Sequence, residues 1–120
     1  MGFVCANETV YRSTGTALDL VCNISIRDNI TYPTWWGPPN TTKYNTKSGE
    51  FNPTLGEKLN RINWTENKID LKMDSVTFND TGFYKCEEVF QETRYSYEID
   101  VTVKGKFKYL SKLNSPSYLF

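Results

Sequence analysis

Side chains that usually carry out catalysis or hold metal ions are scarce in this sequence. Histidine, the commonest general base and metal ligand, is absent from the 120 residues. With two of its three cysteines assigned to a disulfide, the chain cannot form a zinc site. Glu87 and Glu88 are adjacent acids, but neighbouring strand residues point to opposite faces, so we expect two solvated surface charges. We therefore predict neither an enzyme nor a cofactor.

The net charge also disfavours an anionic partner. Fourteen Lys and Arg residues balance fourteen Asp and Glu residues, and no stretch concentrates basic side chains on one helix or groove. Capture of nucleic acid or of an anionic membrane by charge therefore has no evident source. No run of about 20 apolar residues could cross a bilayer, so we expect membrane attachment only through a segment outside this sequence.

Six Asn-X-Ser/Thr sequons predict N-linked glycosylation and a secretory route. Any one of them is also compatible with an unmodified Asn- and Thr-rich surface, because the motif permits glycosylation without requiring it. Together they favour an extracellular location, either secreted or in the ectodomain of a membrane glycoprotein. The acceptor residues are Asn7, Asn23, Asn29, Asn40, Asn63 and Asn79.

Short segments of alternating apolar and polar residues predict an all-β fold. The length suits one domain. We place that domain at residues 1–104 and a C-terminal tail, stalk or linker at residues 105–120. Residues 41–58 are polar, so we expect short exposed strands there rather than core. Three half-buried strands are indicated by Leu18, Leu20 and Cys22, by Ile69, Leu71 and Met73, and by Ile99, Val101 and Val103.

Two cysteines, a tryptophan and a tyrosine have a recurrent spacing. A bridge between Cys22 and Cys86 would close a loop of 64 residues (86 minus 22), and Trp35 follows Cys22 by 13 residues. A large ring at that point can pack on the bridge, and the strand carrying it must end at the two prolines after Gly37. Tyr84, two positions before Cys86, completes a tyrosine-corner pattern.

On these residues, the chain from about Leu18 to Val103 resembles V-set members of the immunoglobulin superfamily. The resemblance implies a V-type β-sandwich with one disulfide between the sheets. It also implies an ion pair between Arg61 and Asp80; the alternative is two solvated charges, whose pairing would contribute at most about 1 kcal/mol. The segment 95–100 lacks the Phe-Gly-X-Gly bulge of antigen receptors, and Glu87 stands where sialic-acid-binding members carry arginine.

The outer face of the strands that carry Trp35 and Tyr84 is the candidate contact surface. If Trp35 points inward, Trp36 points outward, although packing beneath the next strand is an equal alternative for it. Tryptophan and tyrosine dominate binding hot spots, and charge pairs around them add specificity. Asn23 and Asn63 should carry glycans on the opposite sheet. The predicted partner-binding residues are Trp36, Phe83, Lys85, Glu87 and the loop Gln91, Glu92, Thr93 and Arg94.

Cys5 is left without a partner by this assignment. It indicates a partner outside the segment, an unusual internal bridge or a small buried apolar residue on the first strand.

The leading functional hypothesis is recognition of a cell-surface or secreted protein, including a host immune protein, by a receptor, adhesion molecule or viral immune-modulating glycoprotein. The second is a structural spacer or a module that forms homodimers through the same face.

Overall fold

Two β-sheets pack face to face in the computed structural model, which describes residues 5–105. The strands are β1 (Glu8–Ser13), β2 (Leu18–Leu20), β3 (Thr34–Gly37), β4 (Thr42–Lys43), β5 (Ile62–Trp64), β6 (Leu71–Met73), β7 (Gly82–Phe90) and β8 (Thr93–Lys104). Short 3₁₀ helices are η1 (Arg27–Asn29), η2 (Pro53–Asn60) and η3 (Phe78–Asp80). No helix within residues 5–105 is long and apolar enough to span a bilayer.

The sheets are unequal in size. The larger has the order β1-β8-β7-β3-β4 and the smaller the order β2-β6-β5. β1 runs parallel to β8, whereas the other neighbouring strands are antiparallel. The longest pairing joins β7 to β8 through a tight hairpin, which forms the centre of the larger sheet together with β3.

The core lies between the sheets and follows the predicted alternation. The inward residues of β2, β6 and β8 are buried, and Cys22 and Cys86 form a disulfide with their Cα atoms 5.8 Å apart. Trp35 is fully buried beside it, and its Nε1 donates to the carbonyl of Ile69 at 2.9 Å. β3 ends at Gly37, which confirms the effect of the following prolines. A Cβ at Gly37 would come within 2.7 Å of Tyr44 and Tyr84.

The prediction that residues 41–58 lie outside the core was wrong. Tyr44 is fully buried, Asn45 and Lys58 are almost so, and Leu55 closes one end of the core. Asn45 Oδ1 accepts from the backbone N–H of Trp35, and its amide donates to the carbonyls of Pro33 and Thr46. Such polar side chains can be buried because their hydrogen-bonding groups are satisfied inside the protein.

The two ends of the predicted domain differ in what the structure describes. Cys5 is exposed and forms no disulfide, so the interpretation of it as a buried residue on the first strand was wrong. It precedes β1, which begins at Glu8, so Cys5 does not belong to the strand and does not pack into the core. β8 ends at Lys104. The predicted tail, apart from Gly105, lies outside the described residues, and the domain boundary stays a prediction.

Candidate functional site

The outer surface of β3, β7 and β8, here called the platform face, presents aromatic and charged side chains. On β7 the outward residues are Phe83, Lys85, Glu87 and Val89, with Phe83 55% exposed and Val89 52% exposed. These positions alternate with the buried Tyr84 and Cys86, as strand geometry requires. The alternation of residues along the sequence therefore predicted the correct face for the β7 side chains.

Trp36 lies on β3, at the side of this face that borders β4. It is half-buried on β3, opposite Lys85 of β7 on one side and Lys43 of β4 on the other. The ammonium of Lys85 lies 5.9 Å from the centroid of the indole ring, which is within reach of a cation–π contact. Trp36 Nε1 is buried and has no hydrogen-bond acceptor among residues 5–105.

A shallow cleft of about 220 Å³ opens beside Trp36. Its lining combines aromatic surface with one cation and one anion, and Thr41 forms its rim at the turn between β3 and β4. This mixture suits a side chain or backbone segment of another protein better than a large apolar ligand. The lining residues are Trp36, Thr41, Phe83, Tyr84, Lys85 and Glu98.

The acids of β7 are ion-paired, so the prediction of two solvated charges was wrong. Glu87 accepts from Arg94 at 2.8 Å and lies 3.9 Å from Lys85, and its side chain is only 16% exposed. Glu88 binds Lys47. The hairpin brings Arg94 of β8 beside Glu87 of β7. This contact depends on the register of the two strands, which the sequence alone does not specify.

The predicted loop 91–94 is shorter than expected. Gln91 and Glu92 form a two-residue turn with φ values of 51° and 66°, whereas Thr93 and Arg94 belong to β8. Positive φ at both central residues matches the twist of a tight hairpin. All four side chains are exposed and stand at one end of the platform face.

A buried polar network closes the base of the sandwich below this face. Arg61 lies 2.8 Å from Asp80, the pair that the family resemblance implied, and Tyr84 donates to the carbonyl of Asp80 at 2.6 Å. Lys58 adds an ion pair to Asp80 at 3.0 Å and donates to the hydroxyls of Tyr44 and Tyr84, both at 2.9 Å. Sequence reasoning missed Lys58 and Tyr44, because each lies in a segment of polar composition.

The network determines how its members titrate. Burial alone would raise the pKa of the Asp80 carboxyl, but hydrogen bonds from Arg61 and the backbone of Thr77, with the charge of Lys58, outweigh burial and lower the pKa. Burial lowers the pKa of Lys58 despite the attraction of Asp80. Burial raises the pKa of Tyr84 well above its ordinary value. The network therefore stabilises the charged form of Asp80, whereas burial disfavours the charged form of Lys58.

Acid is expected to destabilise the domain. The Asp80 pKa is lowered as described, and at Asp70 the hydrogen bonds from Arg27 and Cys22 likewise outweigh burial and lower the pKa. Their stabilisation is fully present above the unfolded-state pKa of about 3.9 and is lost as the pH falls through the folded-state pKa. Urea unfolding at about pH 7, 4 and 3 should show a falling free energy of unfolding. An Asp80→Asn variant should show a shallower fall; an equally steep fall would contradict the assignment.

All six sequon asparagines are exposed. Asn23 and Asn63 lie on the smaller sheet side, but Asn7 precedes β1 and Asn40 lies in the turn before β4, so both border the larger sheet. Sequons therefore border both sheets, while Asn23 and Asn63 lie on the side that the sequence predicted. β1 joins the larger sheet because it pairs with β8, a choice that its own sequence does not reveal.

Comparisons with known proteins bear on the fold. No family model and no curated protein matches the sequence. Among solved structures, Tim-1 is similar with a TM-score of 0.62 and 19% identity, over 88% of this chain and 97% of that one. The first Ig-like domain of human CD48 gives 0.64 and 14%, over 88% and 91%. The CD2-binding domain of CD58 gives 0.60 and 13%, over 80% and 53%. These likenesses show a V-type immunoglobulin fold.

Proposed function

We propose that this chain, a V-type immunoglobulin domain by fold, is an extracellular module that binds another protein through its platform face. The observation that carries the proposal is Trp36, a half-buried aromatic residue of this face whose buried Nε1 donor has no acceptor among residues 5–105. An unpaired buried donor costs about 1–3 kcal/mol. A partner that shifts Lys85 and supplies an acceptor would recover that cost.

The surroundings of Trp36 favour a protein as the ligand. Phe83 offers exposed aromatic area, and farther along β7 Glu87 pairs with Lys85 and Arg94. Aromatic anchors with a polar rim are typical of protein interfaces. One structural neighbour, the CD58 domain, is itself a CD2-binding domain, which supports this class of function for the fold without identifying a partner.

The finer role that we propose is that of a secreted or membrane-anchored glycoprotein that engages a host immune protein. Six exposed sequons in an Asn-, Lys- and Thr-rich chain support glycosylation and an extracellular location. Asn-, Lys- and Thr-rich V-like domains with many sequons resemble immune-modulating surface proteins of large DNA viruses, and invertebrate or fish receptors share this composition. We further propose that residues 105–120 form a stalk or linker beyond the domain. No part of the proposal requires a cofactor or catalysis.

The test is capture of cell-surface and secreted proteins by the glycosylated domain and by a Trp36→Ala, Lys85→Glu variant. The variant removes the indole ring of Trp36 and reverses the charge of Lys85. We therefore expect at least about a tenfold loss of affinity for the partner, which is typical of a hot-spot truncation. Binding can be quantified by surface plasmon resonance. The matched control is Phe78→Ala, Lys72→Glu, which changes an exposed aromatic and a lysine away from that face.

Retention of binding by the control and its loss in the platform variant would support the proposal. Equal binding by both variants would move the site elsewhere.

The second candidate function, self-association through the same face, is favoured by one observation. Lys43 and Lys85 stand on one side of the face and Glu98 and Asp100 on the other, so two copies related by a twofold axis could pair opposite charges. Concentration-dependent dimerisation that the platform variant abolishes would favour that alternative.

A further inference from the structure

Three strands lie at open edges of the two sheets. Within residues 5–105, β1 pairs only with β8, whereas β2 and β5 each pair only with β6. Every second peptide group of such a strand points away from its single partner and can pair with another chain. Unprotected edges are therefore templates for edge-to-edge association.

The β2 edge continues beyond the strand itself. Asp19, Val21 and Asn23 form an alternating exposed row, while the residues between them are buried. Among residues 5–105, the backbone N–H and C=O groups of Val21 and Asn23 form no hydrogen bond. Val21 is 42% exposed.

Each open edge carries a sequon. Asn7 directly precedes β1, Asn23 follows β2 by three residues and Asn63 is the central residue of β5; all three are exposed. Asn7 is held at its edge because its backbone N–H donates to the carbonyl of Glu98 and its side-chain oxygen accepts from the N–H of Glu98, both at 2.9 Å. Central strands β3, β6, β7 and β8 carry no sequon.

The fourth edge is protected in another way. β4 has its nearest sequon, Asn40, in the preceding turn, and the chain itself covers its outer side. The backbone N–H of Asn52 donates to the carbonyl of Tyr44, and the Asn52 side-chain amide donates to the carbonyl of Lys43. Each edge strand therefore has a sequon in it or within three residues of it, although Asn40 and Asn79 also lie within three residues of the central strands β3 and β7.

We propose that N-linked glycans on Asn7, Asn23 and Asn63 block edge-to-edge strand pairing between two copies of this domain. Paired strands lie about 4.8 Å apart, and a bulky glycan beside an edge strand leaves no room for a second strand at that distance. The platform face remains free, because its central strands carry no sequon. This inference rests on the glycosylation that the proposed function includes.

The experiment compares secreted protein from eukaryotic cells that glycosylate. The edge variant carries Asn7→Gln, Asn23→Gln and Asn63→Gln. The matched control carries Asn29→Gln, Asn40→Gln and Asn79→Gln, and so loses the same number of sequons away from the three edges. Light scattering coupled to size-exclusion chromatography gives the protein mass. We expect the mass of the edge variant to rise about twofold or more at concentrations where the control stays monomeric.

A second edge variant, Thr9→Ala, Ser25→Ala and Asn63→Gln, removes the same glycans while keeping Asn7 and Asn23. It should associate to the same extent; association of the Gln variant alone would overturn the inference. Peptide mass spectrometry of the unaltered protein reports occupancy. If the three sites carry glycans and both edge variants stay monomeric, the inference fails and the platform-face proposal stands. If the sites carry none, the inference and the glycosylation part of the proposed function fail together.

Discussion

Replacing Asp80 with alanine is expected to lower the free energy of unfolding by about 3–5 kcal/mol. The carboxylate is almost fully buried and is the shared anion of Lys58 and Arg61, whose side chains are 7% and 13% exposed. Removing it leaves two poorly solvated cations without their counter-ion and frees the backbone N–H of Thr77. Urea or guanidinium unfolding followed by tryptophan fluorescence would measure the loss.

Two further variants separate burial from charge. Glu57 also pairs with Arg61, but its side chain is 71% exposed, so Glu57→Ala should cost less than about 1 kcal/mol. Lys58→Met should cost less than Asp80→Ala, because Asp80 keeps Arg61 as a partner and methionine replaces most of the lysine volume. If Asp80→Ala costs no more than Glu57→Ala, the buried network is not a main source of stability.

Removing the disulfide with Cys22→Ala and Cys86→Ala is expected to cost about 4 kcal/mol by the loop-closure model. The bridge spans a sequence separation of 64 and joins the two sheets at fully buried positions. A domain of this size is stable by only about 5–15 kcal/mol. The double variant should therefore unfold at a much lower denaturant concentration and be secreted poorly.

The free cysteine offers the control for this experiment. Cys5 is exposed and forms no disulfide in the described residues, so Cys5→Ser should change stability by no more than about 0.5 kcal/mol. Unfolding of all three proteins under identical conditions is the measurement. Similar denaturation midpoints for the unaltered protein and the Cys22, Cys86 double variant would show that the bridge contributes little.

The core strands could be predicted because the alternation of apolar and polar residues indicates which side chains are buried. Leu18 and Leu20, then Leu71 and Met73, alternate with exposed polar residues, and a strand buries every second side chain. The pairing of Cys22 with Cys86 is not local; it was predicted from the resemblance of these cysteines, Trp35 and Tyr84 to V-set domains. These patterns sufficed to predict the two-sheet fold and its disulfide.

The buried network escaped prediction for a physical reason. Lys58 and Asn45 have polar side chains, and burial of such groups depends on partners that are distant in sequence. Tyr44 reaches the core only because Gly37 leaves space beside it. No property of residues 41–58 alone indicates that Asp80 and Trp35 would supply those partners.

The candidate interface shows the same division. The outward orientation of Trp36 and Lys85 follows from the alternation of side chains along a strand, which can be read from the sequence itself. The unpaired Nε1 of Trp36 and the pairing of Glu87 with Arg94 depend on which strands become neighbours.

By itself, therefore, the sequence determined the core strands around Leu18, Leu71 and Val101 and their inward faces, because side-chain alternation along a strand is a local property. Its resemblance to V-set domains implied the disulfide. Only the tertiary structure decided that β1 joins β8, that three sequons lie at open edges, and that Lys58 is buried among tyrosines. Each of those outcomes depends on contacts between segments far apart in the chain, whose energies no local pattern contains.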